Sequence, residues 1–209
     1  TTRASSSIGI QVVSNGDVTI ASGSITTVGD NSGGILVFDS STAVVNSNTV
    51  QTQGGYSRGI EVGSDGAITV TSTSVATSGQ NSGGIRLLPA AGADVPSQSL
   101  STTGTYSLGI GAYSDNGDTV VDSGSITTLA NSAGGIRATA LAGAGDVGGN
   151  VTIDSESVTL SGDSSTGIYA RASGVGAGNV TIRSGALATS GDRSVAVSAS
   201  RGGNISVAR

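Results

Sequence analysis

The sequence predicts an all-β fold, a right-handed parallel β-helix (solenoid) of about eight coils, with roughly 25 residues and three short strands per coil. Three observations predict it. A small residue followed by an aliphatic one recurs at nearly constant spacing, aliphatic and polar residues alternate locally, and aromatic residues make up only 2% of the chain. Repeats of this length are typical of solenoid proteins, in which each repeat packs only on its neighbours.

The small-aliphatic pair marks a position that we call the first station of each coil. It is found at Gly9-Ile10, Gly34-Ile35, Gly59-Ile60, Gly84-Ile85, Gly109-Ile110, Gly135-Ile136, Gly167-Ile168 and, in degenerate form, Ala196-Val197. The spacing is constant over the first five pairs, longer by a single residue at the sixth, and clearly longer at the last two.

Two further aliphatic stations follow in each coil, beginning with Val18-Thr19-Ile20 and with Ser24-Ile25. The steps from Val18 to Ile25 and from Ile25 to the next first station keep the same length in the later coils. Only the segment between the first and second stations varies, and it is longest between Ile136 and Val151. We therefore expect one domain, 1–209, with loop insertions near 138–150 and 170–179. Both insertions would extend outward from the same corner of the coil.

The stations alternate aliphatic and polar residues, which is the pattern of a strand with one buried face. Stacked at about 4.8 Å, eight coils make a rod on the order of 40 Å long. Ladders of like residues would fill its interior in place of aromatic rings. The second-station ladder is Ile20, Val45, Val70, Val95, Val121, Ile153, Ile182 and Val207. A threonine column, Thr27, Thr52, Thr77, Thr102, Thr128 and Thr189, is broken by Leu160 and should share the face of the third station.

Composition excludes several functional classes. The chain has neither Cys nor His, which rules out disulfides and any catalysis through a thiolate or an imidazole. Its formal net charge is −5, and the basic residues are not clustered in sequence, so nucleic acid is not expected as a partner. We also expect neither a membrane span nor a leader segment, because no apolar run is long enough for the first and no basic and apolar start indicates the second.

The carboxylates occupy turn contexts, where Asp serves backbone geometry through its side-chain hydrogen bonds. They are Asp17, Asp65 and Asp118 in one kind of turn and Asp30, Asp163 and Asp192 in another. We therefore expect no enzyme, no catalytic residues, no cofactor and no metal. The stretch 143–150 resembles a calcium-binding nonapeptide only weakly, because that motif needs tandem nine-residue spacing.

Two columns of outward-facing residues follow the first-station ladder, where a column is one repeat position followed through successive coils. The nearer column contains Glu61 and Arg86 on adjacent coils, predicted to be an exposed ion pair worth at most about 1 kcal/mol. The farther column has more apolar character, and Phe38, Leu88 and Tyr113 in it form our candidate strip for a ligand or a lateral contact. A second inner wall is the alternative that the pattern leaves open.

Segments such as Asn31-Ser32-Gly33-Gly34-Ile35 and Ser22-Gly23-Ser24-Ile25-Thr26-Thr27 resemble the repeats of bacterial autotransporter passengers and adhesin-like surface proteins. The resemblance covers the whole chain. It implies a β-helix that is part of a longer protein exported to the extracellular face of a bacterial cell.

Together, the pattern and the resemblance predict a non-enzymatic structural or adhesive module, either a rigid stalk or a self-associating fibre segment. Expected partners are other copies, end to end or side by side, and host or matrix carbohydrate or protein. The alternative function is a carbohydrate-binding or polysaccharide-degrading β-helix domain of the lyase or tailspike kind.

Overall fold

The computed structural model describes residues 1–88, 90–142, 148–200 and 203–208. Its strands, in chain order, are β1 (Thr2–Arg3), β2 (Ile10–Val13), β3 (Val18–Val28), β4 (Ile35–Ser40), β5 (Ala43–Gln53), β6 (Ile60–Ser64), β7 (Ala67–Ser78), β8 (Ile85–Leu87), β9 (Gly92–Thr102), β10 (Leu108–Asp115), β11 (Thr119–Thr128), β12 (Gly134–Leu141), β13 (Val151–Ser161), β14 (Thr166–Ser173), β15 (Val180–Ser190), β16 (Val195–Ser200) and β17 (Ile205–Ala208).

The strands form two parallel sheets that the chain visits in alternation. The odd-numbered strands make a nine-stranded sheet, and the even-numbered strands make an eight-stranded sheet, each in sequential order. The chain is thus an all-β parallel solenoid of about eight turns, as the repeat predicts. We number the coils one to eight by their first-station residue, from Ile10 in coil one to Val197 in coil eight.

The pairing register places equivalent stations directly above one another. Ile110 pairs with Ile85 on one side and with Ile136 on the other, which confirms the first-station ladder. Val121 likewise pairs with Val95 and Ile153 in the second-station ladder. Ladder residues in the interior coils are fully buried, so small aliphatic side chains fill the narrow core by themselves.

The second and third stations lie on one long strand. In the long strands the pairing skips a residue between the two stations: Ser22 pairs with Ser47 and Ser24 with Thr49, but Gly23 is passed over. The same skip recurs in the other long strands, for instance at Gly124. Between β7 and β9 the pairing also omits Val70 and Thr71. Each coil therefore has two hydrogen-bonded strands where three were predicted, and the longer one carries a corner in its middle.

Polar ladders line the inner corners. The threonine column is buried from Thr27 to Thr128, whereas Thr189 is only half-buried. The hydroxyl of Thr52 donates to the carbonyl of Ser57 at 3.0 Å. The Ser57 hydroxyl accepts the backbone N–H of Ser32 at 2.9 Å and donates to the carbonyl of Gly29 at 3.0 Å. Because these contacts repeat from coil to coil, buried backbone groups at the corner stay paired. This serine ladder comprises Ser32, Ser57, Ser82 and Ser107, is interrupted at Ala133, and resumes at Ser165 and Ser194.

The position just before the serine ladder has a left-handed backbone in every coil. It is occupied by Ser6, Asn31, Tyr56, Asn81, Tyr106, Ser132, Ser164 and Arg193, with φ between 55° and 60°. Asn tolerates this conformation, whereas a bulky side chain seldom adopts it. Coil six places Ser132 here, so Asn131, which has the expected repeat spacing from Tyr106, belongs to the preceding position.

Side chains of Asp and Asn cap the amide of the next coil at two corners. The Asp30 carboxylate accepts the backbone N–H of Gly55 at 2.7 Å, and the Asp118 carboxylate accepts that of Asn150 at 2.7 Å. Asp163 acts in the same way on the next coil, accepting the backbone N–H of Asp192 at 2.8 Å. These contacts agree with the turn role predicted for the carboxylates.

The two loop insertions are shorter than the sequence pattern indicates. Residues 138–141 and 170–173 continue strands β12 and β14, and their inward alanines are fully buried. These strands end at Leu141 and Ser173. An alternating run of small residues therefore extends the core here instead of forming a loop.

The last coil leaves its ladder uncovered. Ile205 and Val207 are 48% and 52% exposed, whereas their partners Val180 and Ile182 on the preceding strand are fully buried. The described residues form no helix of the length and apolarity needed to cross a membrane.

Candidate functional site

The outer face of the eight-stranded sheet carries an unusual concentration of arginine and tyrosine. Coils three to seven place there four of the nine arginines and three of the four tyrosines of the chain. We call this set the tyrosine–arginine face: Arg58, Arg86, Arg137, Arg171, Tyr106, Tyr113 and Tyr169. Tyr106 reaches it from the left-handed corner, Arg58 lies just before strand β6, and the others extend from the outward columns beside the isoleucine ladder.

Arg137 is the centre of this face. Its guanidinium carbon lies 5.7 Å from the ring centroid of Tyr113 and 5.2 Å from that of Tyr169, both within the range of a cation–π interaction. The register explains the arrangement, because Tyr169 is the direct neighbour of Arg137 in the next coil. Among the described residues, no carboxylate lies within salt-bridge distance of Arg137.

Two open depressions lie along this face, with Tyr106 and Leu108 forming the ridge between them. The larger, of about 380 Å³, is lined by Arg137, Tyr169, Thr166 and the two ridge residues, among others. The smaller, of about 220 Å³, adds Arg58, Arg86 and Tyr113 on the other side of the ridge. Together they form a shallow groove along the rod axis, which we call the ridge groove.

Glycine keeps the groove open beside the ridge. A Cβ atom at Gly134 would lie 2.7 Å from the Leu108 Cδ1 atom. Any larger residue there would displace the leucine side chain that forms the ridge. The sequence therefore leaves room at this position, next to the residues that line both depressions.

Glu61 is the only acidic residue in the outward columns of this sheet, and two arginines bind it. One of its carboxylate oxygens is 2.6 Å from Arg58 and the other is 3.1 Å from Arg86. The exposed pair predicted from the sequence is wrong in one respect: Glu61 is only 6% exposed. Removing either arginine would leave a nearly buried carboxylate with half its partners, so the three residues act as one structural unit.

The candidate strip of Phe38, Leu88 and Tyr113 divides between two surroundings. Phe38 and Leu88 meet above Gly63, where a Cβ atom would be 3.7 Å and 3.1 Å from their respective side chains. Tyr113 packs with Arg137 at the ridge groove instead. The strip's role in ligand binding or lateral contact stays a prediction, and the structure joins only its tyrosine to the groove.

Sequence reasoning missed Tyr106, Arg137 and Tyr169 as members of one face. The available signal was their scarcity, because only five aromatic residues occur in the whole chain. Arg137 and Tyr169 occupy the same repeat position in neighbouring coils, so spacing alone makes them neighbours. Tyr106 lies at a corner, and spacing does not show which way a corner side chain points.

On the opposite sheet, Asp122 and Asp154 are direct neighbours in adjacent coils. The described residues contain no group of three or more acidic side chains close enough to hold a metal ion. Most of the weak calcium-like stretch falls on residues 143–147, outside the described part of the chain. Burial raises the pKa of the half-buried Asp94 carboxyl, and the charge of Asp122 raises it further.

Replacing Asp94 with Asn should stabilise the protein at pH 7 relative to wild type. A carboxyl whose pKa is raised by folding binds its proton more tightly in the native state, so stability falls as pH rises from about 3.8 through the native pKa. The difference between Asp94→Asn and wild type should therefore grow over that window and then level off.

Urea denaturation from pH 3 to pH 7, followed by circular dichroism, measures this difference. Asp39→Asn, an exposed carboxylate on the other sheet, controls for the change in net charge. An equal difference at both ends of the pH range would contradict the assignment.

The fold defines the class of the protein as an all-β parallel solenoid, here with a shallow groove lined by tyrosine and arginine on one outer face. No protein-family model matches the chain, and no curated protein or solved structure matches it significantly.

Proposed function

We propose that the chain is a non-enzymatic structural and adhesive module of a bacterial surface protein, a rigid β-helical stalk or self-associating fibre segment outside the cell. The observation that carries the proposal is the unbroken stacking of buried ladders from coil to coil. Each coil is hydrogen-bonded and packed to the next over two sheets, so bending would open both the ladder pairing and the core. Such a rod holds its two ends at a fixed distance.

The apolar residues of β17 support self-association of this chain. Ile205 and Val207 continue columns that are fully buried one coil earlier, and the outer edge of strand β17 is also available for backbone pairing. A further coil from a second copy would bury the exposed half of each side chain, which contributes about 0.8–1.5 kcal/mol per residue. An unprotected parallel edge is a template for another strand.

The purified chain should form linear oligomers as its concentration rises, seen by sedimentation velocity and by electron microscopy. Val207→Lys places a charge in the uncovered ladder and should leave the chain monomeric, because stacking would bury an unpaired ammonium. Ser206→Lys is the matched control: it lies between the two ladder residues on the outward side and should not prevent assembly.

A wild-type chain that stays monomeric at every concentration would overturn the self-association part of the proposal. Equal loss of assembly in the Val207 and Ser206 variants would overturn the role given to the ladder. Circular dichroism of each variant shows whether the remaining coils are folded.

The second candidate is a carbohydrate-binding or polysaccharide-degrading domain, and the tyrosine–arginine face favours its binding form. The degrading form has less support, since carboxylates such as Asp30 and Asp118 already accept backbone hydrogen bonds in turns. Turnover of an acidic polysaccharide, with or without calcium, would favour an enzyme over the stalk.

A further inference from the structure

We propose that the ridge groove binds an acidic oligosaccharide, a chain of sugars that carry carboxylates such as uronic acids. This site does not depend on the stalk function; it deepens the second candidate function, carbohydrate binding, by naming the class of ligand. It is supported by the charge of the face, the state of Arg137, the exposed ring of Tyr106 and the shape of the groove.

The charge of the face is opposite to that of the chain. The protein has a net charge of −5, yet this face gathers four arginines against two strand carboxylates, Glu61 and the exposed Asp115. The Glu61 charge is already shared between Arg58 and Arg86. A local excess of positive charge favours an anionic ligand.

Arg137 is already positioned for a carboxylate. Its guanidinium rests against the rings of Tyr113 and Tyr169 and has no carboxylate partner among the described residues. Stacking on rings restricts the side chain but leaves the N–H groups at the edge of the guanidinium plane free to donate. A planar guanidinium binds a carboxylate through two parallel hydrogen bonds, and restricting it beforehand lowers the entropy cost of binding.

Tyr106 has an unfavourable backbone conformation, and burial of its ring does not compensate for it. Its φ of 58° is left-handed, and its side chain is 65% exposed. The coil before it places Asn81 at the same position, so the corner does not require an aromatic residue. The left-handed conformation is shared by every coil, including Tyr56 outside the groove, so it is the exposed ring and not the backbone of Tyr106 that bears on binding. An exposed ring on the ridge offers a flat surface on which the apolar face of a sugar can stack, with its hydroxyl at the rim.

The shape of the groove favours a sugar chain over a peptide. Its larger depression is lined by the hydroxyl-bearing residues Ser132, Ser164 and Thr166, which suit the many hydroxyls of a saccharide. Peptides usually add to a sheet edge or press an apolar face into a hydrophobic groove. Neither is present in this part of the sheet, where every strand has neighbours on both sides.

The length of the groove favours an oligosaccharide over a single sugar. It extends from Arg58 in coil three to Tyr169 in coil seven. Four coil steps of about 4.8 Å correspond to about 19 Å along the rod. The arginines are spaced along this length, as the carboxylates of an acidic sugar chain would be.

Isothermal titration calorimetry with oligogalacturonate hexamers tests the site, with maltohexaose as the uncharged comparison. Wild type should bind the acidic oligomer and not the neutral one, and added salt should weaken the binding. Arg137→Gln and Tyr106→Asn should each weaken it about tenfold or more. The asparagine variant reproduces the residue that the fold accepts in coil four.

Matched controls are Arg183→Gln on the opposite sheet and Tyr56→Asn at the same kind of corner outside the groove. Both should bind like wild type. Absence of binding to the acidic oligomer at millimolar concentration would overturn the proposal, as would equal weakening in the controls. Binding of a poly-glutamate peptide in place of the sugar would overturn it in favour of a peptide ligand. Sugar binding by calorimetry and self-association by sedimentation are measured independently. Either proposal can therefore be wrong without affecting the other.

Discussion

Gly79→Ala is expected to destabilise the chain by about 3 kcal/mol or more, because the new methyl group meets both strain and a clash. Gly79 has a φ of 125°, a region that side chains rarely adopt. Its Cβ would lie 2.2 Å from the carbonyl oxygen and 2.4 Å from the carbonyl carbon of Gly54 in the preceding coil. Backbone atoms of a stacked coil cannot move aside without opening the ladder.

Gly23→Ala is the matched control for this substitution. A Cβ there has nothing within 4 Å, and its φ is not in the strained range. The control should be neutral or slightly stabilising, since alanine restricts the unfolded chain. Urea denaturation followed by circular dichroism measures both variants. A Gly79→Ala protein as stable as the control would show that the coils are not stacked as closely as described.

Ile110→Ala should cost about 2–5 kcal/mol, the usual range for a fully buried large-to-small change. Ile110 has no exposed surface and lies between Ile85 and Ile136 in the first-station ladder. Because a solenoid coil contacts only its neighbours, a cavity in the middle should also weaken the coupling between the two halves of the rod. We expect the single unfolding transition to broaden or divide into two.

Val13→Ala is the control for the ladder change. Val13 points outward at the end of the stack and is 62% exposed, so its truncation should change stability by less than about 0.5 kcal/mol. Scanning calorimetry gives the midpoint and the shape of the transition for both variants. Similar losses at Ile110 and Val13 would mean that the ladder does not carry the stability of the rod.

The fold could be predicted because each coil repeats the same physical solution. Spacing alone was enough to identify ladder partners such as Ile60 and Ile85, and the register confirms them. The strands of a parallel stack have little choice of pairing register, because a shift by one residue would turn every aliphatic side chain outward.

The corners were harder to predict than the walls. Period-two alternation continues through the bend at Gly23, so the pattern does not show that the second and third stations share one strand. Likewise, the alternating alanines at 138–141 and 170–173 resemble loop composition while they fill the core. Small residues carry little information on burial, because they fit both a narrow interior and an open loop.

The candidate site was predicted only in part, for a related reason. Columns identify neighbours along the rod, as with Arg137 and Tyr169, but contacts between columns depend on side-chain direction. The stacking of Arg137 on Tyr113 crosses two columns. The position of Tyr106 on the ridge depends on a left-handed corner that spacing does not reveal.

The unequal coil lengths have a consequence for folding. The first coils repeat at a constant spacing and differ little in their ladders, so a strand could pair with the wrong coil and still bury its aliphatic face. The later spacings, from Ile110 to Ile136, from there to Ile168 and on to Val197, all differ from one another. In these later coils, pairing a strand with the wrong coil would leave the additional residues of the longer coil without a corner that fits them. Such mispairing is therefore disfavoured. The irregular half of the rod thus sets the correct pairing for the regular half.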